Sequence, residues 1–238
     1  MVAVAPPHAD DRRALKDSLA AVYDVVEVEV QASGTPFRLL KVRDTNKLVD
    51  AITPHEFSDD ERLPYWAELW PSSIVLAQSC LTLFDLSCKR VLELGCGLGL
   101  AGIAAAKSGA FVTFSDYEHH ALAFSRFNAL TNLTPEQFTN AEFRHLDWRV
   151  LPDIEPFDVI IAADCVYERR HFFPLIDVLH TLLKRNGIAL FTEPGRSMGE
   201  QFFALLAAQG FIVERSSHPA VAHERTIEVV QAVIRHSG

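Results

Sequence analysis

Positive charge is in short supply in this sequence. Across 238 residues, 22 Lys and Arg face 31 Asp and Glu, a formal net charge of −9. That balance argues against a broad nucleic-acid surface, which clusters Lys and Arg on one face. Cysteine is scarce: Cys80, Cys88, Cys96 and Cys165 form no CxxC pair, and no histidine spacing completes a zinc-ligand set. Neither a structural metal nor a disulfide framework is expected, and a reducing, cytoplasmic setting is. No apolar run approaches the roughly 20 residues of a membrane span. The opening MVAVAPPHADDRR has no basic stretch followed by an apolar core, which argues against a signal peptide. Apolar content is plentiful. At 49%, beside 22% charged residues, it suffices for the core of one large domain or two small ones.

The chain divides by pattern. Residues 1–9 hold prolines and no periodicity and are expected to be irregular. Residues 10–22 read as a helix. VVEVEV (25–30) alternates with period two, and FRLLKV (37–42) follows across Ser33-Gly34-Thr35-Pro36, which predicts a hairpin. A polar loop, TPHEFSDDERLP, precedes the aromatic segment YWAELWPSS. There Pro71 with Ser72 or Ser73 opens a helix through Phe84.

From residue 90, strands and helices alternate. FDVIIAAD is a buried strand that ends on a carboxylate. FFPLIDVLHTLLKRNG predicts a helix stopped by Gly187, and SMGEQFFALLAAQG a helix opened by Ser197 and Glu200 in capping-box spacing. FIVERS and TIEVVQAVIR close the chain as an antiparallel pair joined by a loop over 217–225. The expected fold class is α/β: a doubly wound seven-stranded sheet, mostly parallel with an antiparallel C-terminal hairpin, plus an N-terminal helix and β-hairpin. Residues 1–62 are expected to form an N-terminal extension and 63–238 the main domain.

VLELGCGLGLAG (91–102) is the strongest motif. A strand runs into Gly95, Gly97 and Gly99 and straight into a small-residue helix. Glycines there permit turns that a Cβ obstructs and let a ligand approach the main chain, at the strand end where open α/β sheets bind ligands. Gly97 to Gly102 also satisfies GxGxxG, and Asp116 ends the next strand about twenty residues on, in the position of a ribose-binding carboxylate. Glycines and ribose acid alone do not separate a dinucleotide from S-adenosylmethionine. Other features do. Glu93 is a carboxylate inside the apolar strand and needs partners. Asp147 and Trp148 end the third strand with an acceptor and an aromatic face. Asp164 and Tyr167 follow the fourth. The final hairpin stands where a dinucleotide fold has a helical crossover.

These residues together resemble a class I, seven-strand S-adenosylmethionine-dependent methyltransferase, with a Rossmann-like sheet, over about residues 63–236. ELGCGLG is similar to that family's first motif. YWAELWPSS and the Asp-x-x-Tyr at Asp164–Tyr167 narrow the resemblance to the lysine methyltransferase group called methyltransferase family 16. The resemblance implies S-adenosyl-L-methionine as cofactor, with S-adenosyl-L-homocysteine as product. It places Gly95, Cys96 and Gly97 against the methionyl part, Glu93 at the loop or the methionyl amine, and Asp116 on the ribose hydroxyls. Tyr117 would lie beside the adenine, Asp147 would accept from the adenine amino group, and Trp148, Ala163 and Trp70 would line the site. Plain packing is the alternative for Trp66, Trp70 and Trp148.

The implied reaction is N-methylation of a protein lysine. It needs a neutral amine, correctly aimed. Asp164 would accept a hydrogen bond from that amine and Tyr167 would offer a π face to it, with a helix N-cap as the alternative role for Asp164. Cys165 reads as a packing residue. Glu193 and Arg196 of TEPGR reach the same sheet edge and suit either substrate contact or structural pairing. His119, His120 and His145 suit solvent or rim positions. A small-molecule N-methyltransferase, an inactive cofactor-binding module and an NAD-dependent oxidoreductase are the competing readings. A protein substrate is expected, without nucleic acid or membrane; the oligomeric state is not set by the sequence.

Overall fold

The computed structural model describes residues 9–50, 63–222 and 225–238. Helix α1 (Ala9–Val22) leads into strands β1 (Val25–Ala32) and β2 (Thr35–Val42), an antiparallel hairpin of its own, and a short helix α2 (Asn46–Asp50) follows. After a single 3₁₀ turn at Tyr65–Ala67 come α3 (Pro71–Thr82), β3 (Arg90–Leu94), α4 (Leu100–Lys107), β4 (Phe111–Asp116), α5 (His119–Asn132), α6 (Pro135–Phe138) and β5 (Ala141–His145). The chain continues through β6 (Phe157–Ala163), a 3₁₀ turn at Arg169–His171, α7 (Phe172–Leu182), β7 (Leu183–Glu193), α8 (Ser197–Ala208), β8 (Phe211–Ala222) and β9 (Arg225–His236). Among the described residues no helix is long and apolar enough to cross a membrane. The irregular stretch expected over 1–9 and the loop expected over 53–64 lie, apart from their last residues, outside the described residues.

The seven strands stand in the order β5-β4-β3-β6-β7-β9-β8. The first five pair in parallel, and β9 runs antiparallel to both β7 and β8. The order reverses between β3 and β6, which opens a crevice at their carboxyl ends. Val91, Leu92, Leu94, Ile160, Ile161 and Ala162 are buried on both faces, as unalternating apolar strands in a doubly covered sheet must be. One face packs α7 and α8 through Leu92, Ile160, Leu179 and Phe202. The other packs α3 and α4 through Leu76, Val91, Ile103 and Ile161.

Three local expectations fail for physical reasons. Helix α7 stops at Leu182 rather than at Gly187, because Leu183 already pairs with Phe157 as β7 begins. The register shifts between there and Ile188, and Gly187 sits where an added Cβ would lie 2.8 Å from the Asp158 carbonyl oxygen. The glycine serves a β-bulge, not a helix stop. Of the loop expected over 217–225, residues 217–222 and 225 are strand instead, with β8 and β9 in register as far as Ala222↔Arg225, and residues 223 and 224 lie outside the described residues. Pro219 is tolerated because β8 is an edge strand, where a missing N–H goes unused. Ser197 and Glu200 form no capping box. The cap position of α8 is Arg196, and its amide donates to Glu193 Oε2 at 2.8 Å.

The hairpin fastens to α5 through two asparagines one helical turn apart. Asn128 is fully buried. It accepts from the Leu40 amide at 2.7 Å and donates to the carbonyls of Leu40 at 3.2 Å and Leu98 at 3.0 Å. Asn132 accepts from the Arg38 amide at 2.9 Å and donates to the Arg38 carbonyl at 2.7 Å. The rise of one helical turn nearly matches two residues of strand, so the two carboxamides pair with β2 as an adjacent strand would. Phe37 and Leu39 then enter the same core cluster as Leu76, Val91 and Leu100. Asn128 also grips the glycine loop, through Leu98. Asn128→Ala should cost about 2–3 kcal/mol, because it leaves buried backbone groups unpaired. Urea unfolding should show a lower midpoint at unchanged slope.

Candidate active site

Strand ends and the loops after them converge at the β3–β6 crevice. Gly95, Gly97 and Gly99 all have positive φ, at 58°, 50° and 79°. A Cβ on Gly95 would come 2.9 Å from Cys165 Sγ, and one on Gly97 3.0 Å from the Trp66 carbonyl oxygen. The loop is therefore held to bare backbone and lines the cleft beside it, with the Cys96 amide donating to the Ser115 carbonyl at 2.9 Å and the Gly99 amide to the Cys96 carbonyl at 2.7 Å. From β4 come Asp116 and Tyr117, from the end of β5 Asp147 and Trp148, and from β6 Ala163, Asp164 and Tyr167. The aromatic segment before α3 covers the opposite side with Tyr65, Trp66 and Trp70. The cleft is open to solvent at its mouth. It is lined by every expected position: Trp70, Glu93, Gly95, Cys96, Gly97, Asp116, Tyr117, Asp147, Trp148, Ala163, Asp164 and Tyr167.

Carboxylates dominate its electrostatics. Glu93 is buried, and its Oε2 has no hydrogen-bond partner among the described residues. Burial pushes its carboxyl up to about 8, which the Gly102 amide only partly offsets, and the Asp116 charge adds to the rise. Glycine at 102 is required, because a Cβ there would fall on the Glu93 carboxylate and the Phe114 ring. Asp116 accepts from the amides of Gly97 and Glu118, both at 2.9 Å. Burial nevertheless raises it to about 6. Asp147 is gripped by Arg149, with Nε 2.8 Å from Oδ1 and a terminal nitrogen 2.8 Å from Oδ2, which holds its carboxyl below the usual range. The same guanidinium lies over the Tyr117 ring at 4.9 Å. Asp147 Oδ1 also accepts from the Arg149 backbone amide at 2.9 Å. Cys165 Sγ is 3.3 Å from the Leu94 carbonyl oxygen, and burial raises both Cys96 and Cys165, so both are neutral thiols.

Asp164 is the strained residue of the site. Its φ is +56°, uncommon for any side chain but tolerated by Asp. Its amide donates to the Thr192 carbonyl at 2.8 Å, and Arg196 pairs with Oδ1. The helix N-cap alternative does not hold: α7 begins eight residues on, capped by His171. Tyr167 meets Tyr65 edge-on at 5.3 Å and His171 at 5.6 Å, and burial raises its phenol. Trp70 donates its indole N–H to the Tyr65 carbonyl at 2.9 Å, fixing the aromatic rim. Trp66 packs on Tyr23 and Phe124 as well as facing the cleft. His119 and His145 are exposed and stack on each other at 4.4 Å, and exposed His120 stacks on Trp66. Tyr65, Arg149 and His171 were not singled out from sequence. Tyr65 belongs to the aromatic segment YWAELWPSS, and Arg149 follows Trp148 directly. His171 carried no signal beyond its place after Tyr167.

This donor set fits S-adenosylmethionine. A side-chain-free loop suits the methionyl chain, Asp116 at a strand end suits a vicinal diol, and the unsatisfied Glu93 oxygen suits an ammonium group or a bridging donor. The raised carboxyls also set a pH dependence. Stability that Glu93 and Asp116 contribute in their protonated forms is full below their unfolded values near pH 4. It is lost as pH rises, by about 6 for Asp116 and about 8 for Glu93. The ligand-free protein should therefore lose stability between pH 5 and 8, and Glu93→Gln should remove most of the loss above pH 6. Chemical denaturation across that range checks it, and a wild-type profile parallel to that of the variant would show Glu93 already ionised at neutral pH.

Comparison with known proteins gives the family. A family model described as lysine methyltransferase matches residues 57–209. The protein N-lysine methyltransferase METTL21A of Danio rerio is 33% identical over 182 residues, covering 74% of this chain and 80% of that one. The histone-arginine methyltransferase METTL23 of Homo sapiens is 34% identical, covering 50% of this chain and 64% of that one. Among solved structures, the magnesium protoporphyrin IX methyltransferase of Synechocystis PCC 6803 with bound SAM superposes with a TM-score of 0.53. It is 17% identical and covers 76% of this chain and 85% of that one, which is a likeness of fold. With the family model spanning well over half its length, the chain belongs to the lysine methyltransferase family.

Proposed function

We propose that the cleft binds S-adenosyl-L-methionine and that the protein methylates a lysine side chain of a protein substrate. The carrying observation is the pairing of two buried strand-end carboxylates, Asp116 and Asp164, across one glycine-loop cleft with an aromatic rim. Asp116 would accept from the ribose hydroxyls, and Asp147, Tyr117 and Trp148 would hold the adenine. Gly95, Cys96 and Gly97 would face the methionyl chain, with Glu93 beneath them and Ala163 and Trp70 alongside. The cofactor supplies a methyl group made electrophilic by a positively charged sulfur.

The chain's own task is to present a neutral amine. A lysine with a pKa near 10.4 costs roughly 4–5 kcal/mol to deprotonate at pH 7. Burial in a narrow channel lowers that cost by disfavouring the ammonium form. Asp164 would accept a hydrogen bond from the amine and aim its lone pair. As a carboxylate it is too weak a base to drive the deprotonation, and water takes the proton. Tyr167, with Tyr65 across from it, offers aromatic faces to a cationic reactant or product. The lysine reading is supported by the family match and by the METTL21A relative, which covers most of both chains.

Asp164→Asn should abolish transfer from labelled S-adenosylmethionine into lysate protein, with S-adenosylhomocysteine affinity by calorimetry kept within about tenfold, or 1.4 kcal/mol. Mass spectrometry of the labelled product should find methyl-lysine. Label confined to small molecules would overturn the protein acceptor, and full activity in the variant would remove Asp164 from the mechanism.

A further inference from the structure

Arg196 lies on the chain 32 residues beyond Asp164, in the turn between β7 and α8, yet the two side chains form an ion pair. The Asp164 side chain is 5% exposed and lines the cleft. Arg196 is 40% exposed and does not line it. The arginine thus approaches the carboxylate from outside the cleft and engages Oδ1. The other oxygen, Oδ2, has only Ser72 Oγ at 3.5 Å. Three further bonds hold this geometry. Thr192 Oγ1 donates to the Ser72 carbonyl at 2.9 Å, the Asp164 amide donates to the Thr192 carbonyl at 2.8 Å, and the Arg196 amide donates to Glu193 Oε2 at 2.8 Å. Strand β7, helix α3 and the start of α8 therefore all converge on one strained aspartate.

We infer that Arg196 is a positioning residue for methyl transfer, a built-in counter-cation that holds Asp164 from behind and leaves its less engaged oxygen to the incoming amine. This rests on the reading of Asp164 as the acceptor of the amine hydrogen bond. Two consequences follow from the charge. Burial raises the Asp164 carboxyl, an effect that Arg196 partly offsets, and a proton on Oδ2 would turn the oxygen left for the amine from an acceptor into a donor. A bare carboxylate would instead attract the substrate as an ammonium ion and oppose the loss of its proton. Arg196 counters both. It stabilises the anion and cancels much of its pull on a second cation, so the carboxylate orients an amine without trapping an ammonium.

The other groups around Asp164 do not supply this charge. Cys165 beside it in the chain is a neutral thiol, Ser72 on α3 is uncharged, Glu193 at the end of β7 is itself an acid, and Tyr167 is a phenol with a raised titration point. Among the described residues, Arg196 is the cation paired with Asp164. Both consequences move pH dependence the same way. Without the guanidinium, Asp164 ionises at higher pH and the amine loses its proton at higher pH.

The test uses the full chain with and without substrate. In the ligand-free protein, ¹³C NMR titration of the Asp164 carboxyl, assigned by its loss in Asp164→Asn, should shift upward by about one pH unit or more in Arg196→Gln and by less than half that in Arg196→Lys. With lysate protein as methyl acceptor, the acid limb of the rate profile should move up in Arg196→Gln and stay in place in Arg196→Lys, while S-adenosylhomocysteine affinity holds within threefold. A titration point and acid limb unmoved in Arg196→Gln would overturn the inference. So would equal shifts in both variants, which mark a structural role. If Arg196→Gln fails to fold, the Lys variant decides alone: a shift under about half a pH unit supports the charge and a larger one refutes it. Should Asp164→Asn retain full activity while the carboxyl still titrates as described, the role of Asp164 in transfer fails, and not its pairing with Arg196.

Discussion

Four carboxylates are buried at one edge of the sheet. Glu93, Asp116, Asp164 and Glu193 end or follow β3, β4, β6 and β7, and all are under 9% exposed. Burying one charge without a partner is expensive, and burying Glu93, Asp116 and Asp164 around one cleft, with Glu193 behind Asp164, compounds it by mutual repulsion. Much of the surrounding structure answers that constraint. Asp116 takes two backbone amides, Asp164 takes a guanidinium, Glu193 takes the amide that caps α8, and Glu93 is raised toward its neutral form. The cleft is still lined by more Asp and Glu than Arg, in a protein already at −9. Such a cleft favours ligands that bring positive charge, which both a sulfonium and a lysine do.

Two of the four share a device. Glu93 lies against Gly102 in the first turn of α4, and Glu193 lies against Gly199 in the first turn of α8. In both cases a Cβ on the glycine would fall on the carboxylate. A strand-end acid tucked under the following helix meets the positive end of the helix dipole and its free amides. One such site faces the cleft and the other backs the Asp164–Arg196 pair.

The sheet was readable in the sequence because apolar strands and small-residue helices alternate with clear turn signals from residue 90 onward. The cleft positions were readable for a related reason: in a doubly wound sheet the polar residue that ends an apolar strand lands at the crevice, wherever its neighbours lie in the chain. What was not readable is side-chain pairing across strand ends. Arg196 offered no local sign that its partner would be Asp164 rather than substrate. The C-terminal end of α7 and the loop at 217–225 were misplaced because local turn residues, Gly187 and Pro219, were outweighed by strand pairing that only the assembled sheet defines. Asn128 and Asn132 read in sequence as unremarkable polar residues of a helix. Their partners on the hairpin lie 88 and 94 residues away.

That asparagine contact has a consequence for the order in which the molecule is assembled. Asn128 joins Leu40 and Leu98, so the loop's fixed point and the hairpin's fixed point are the same carboxamide. A strand made early in synthesis is thus held by a helix made much later, and one side chain ties that strand and the glycine loop together. Contacts of such long sequence separation slow folding. A disturbance of the hairpin would therefore reach the glycine loop through a single shared carboxamide.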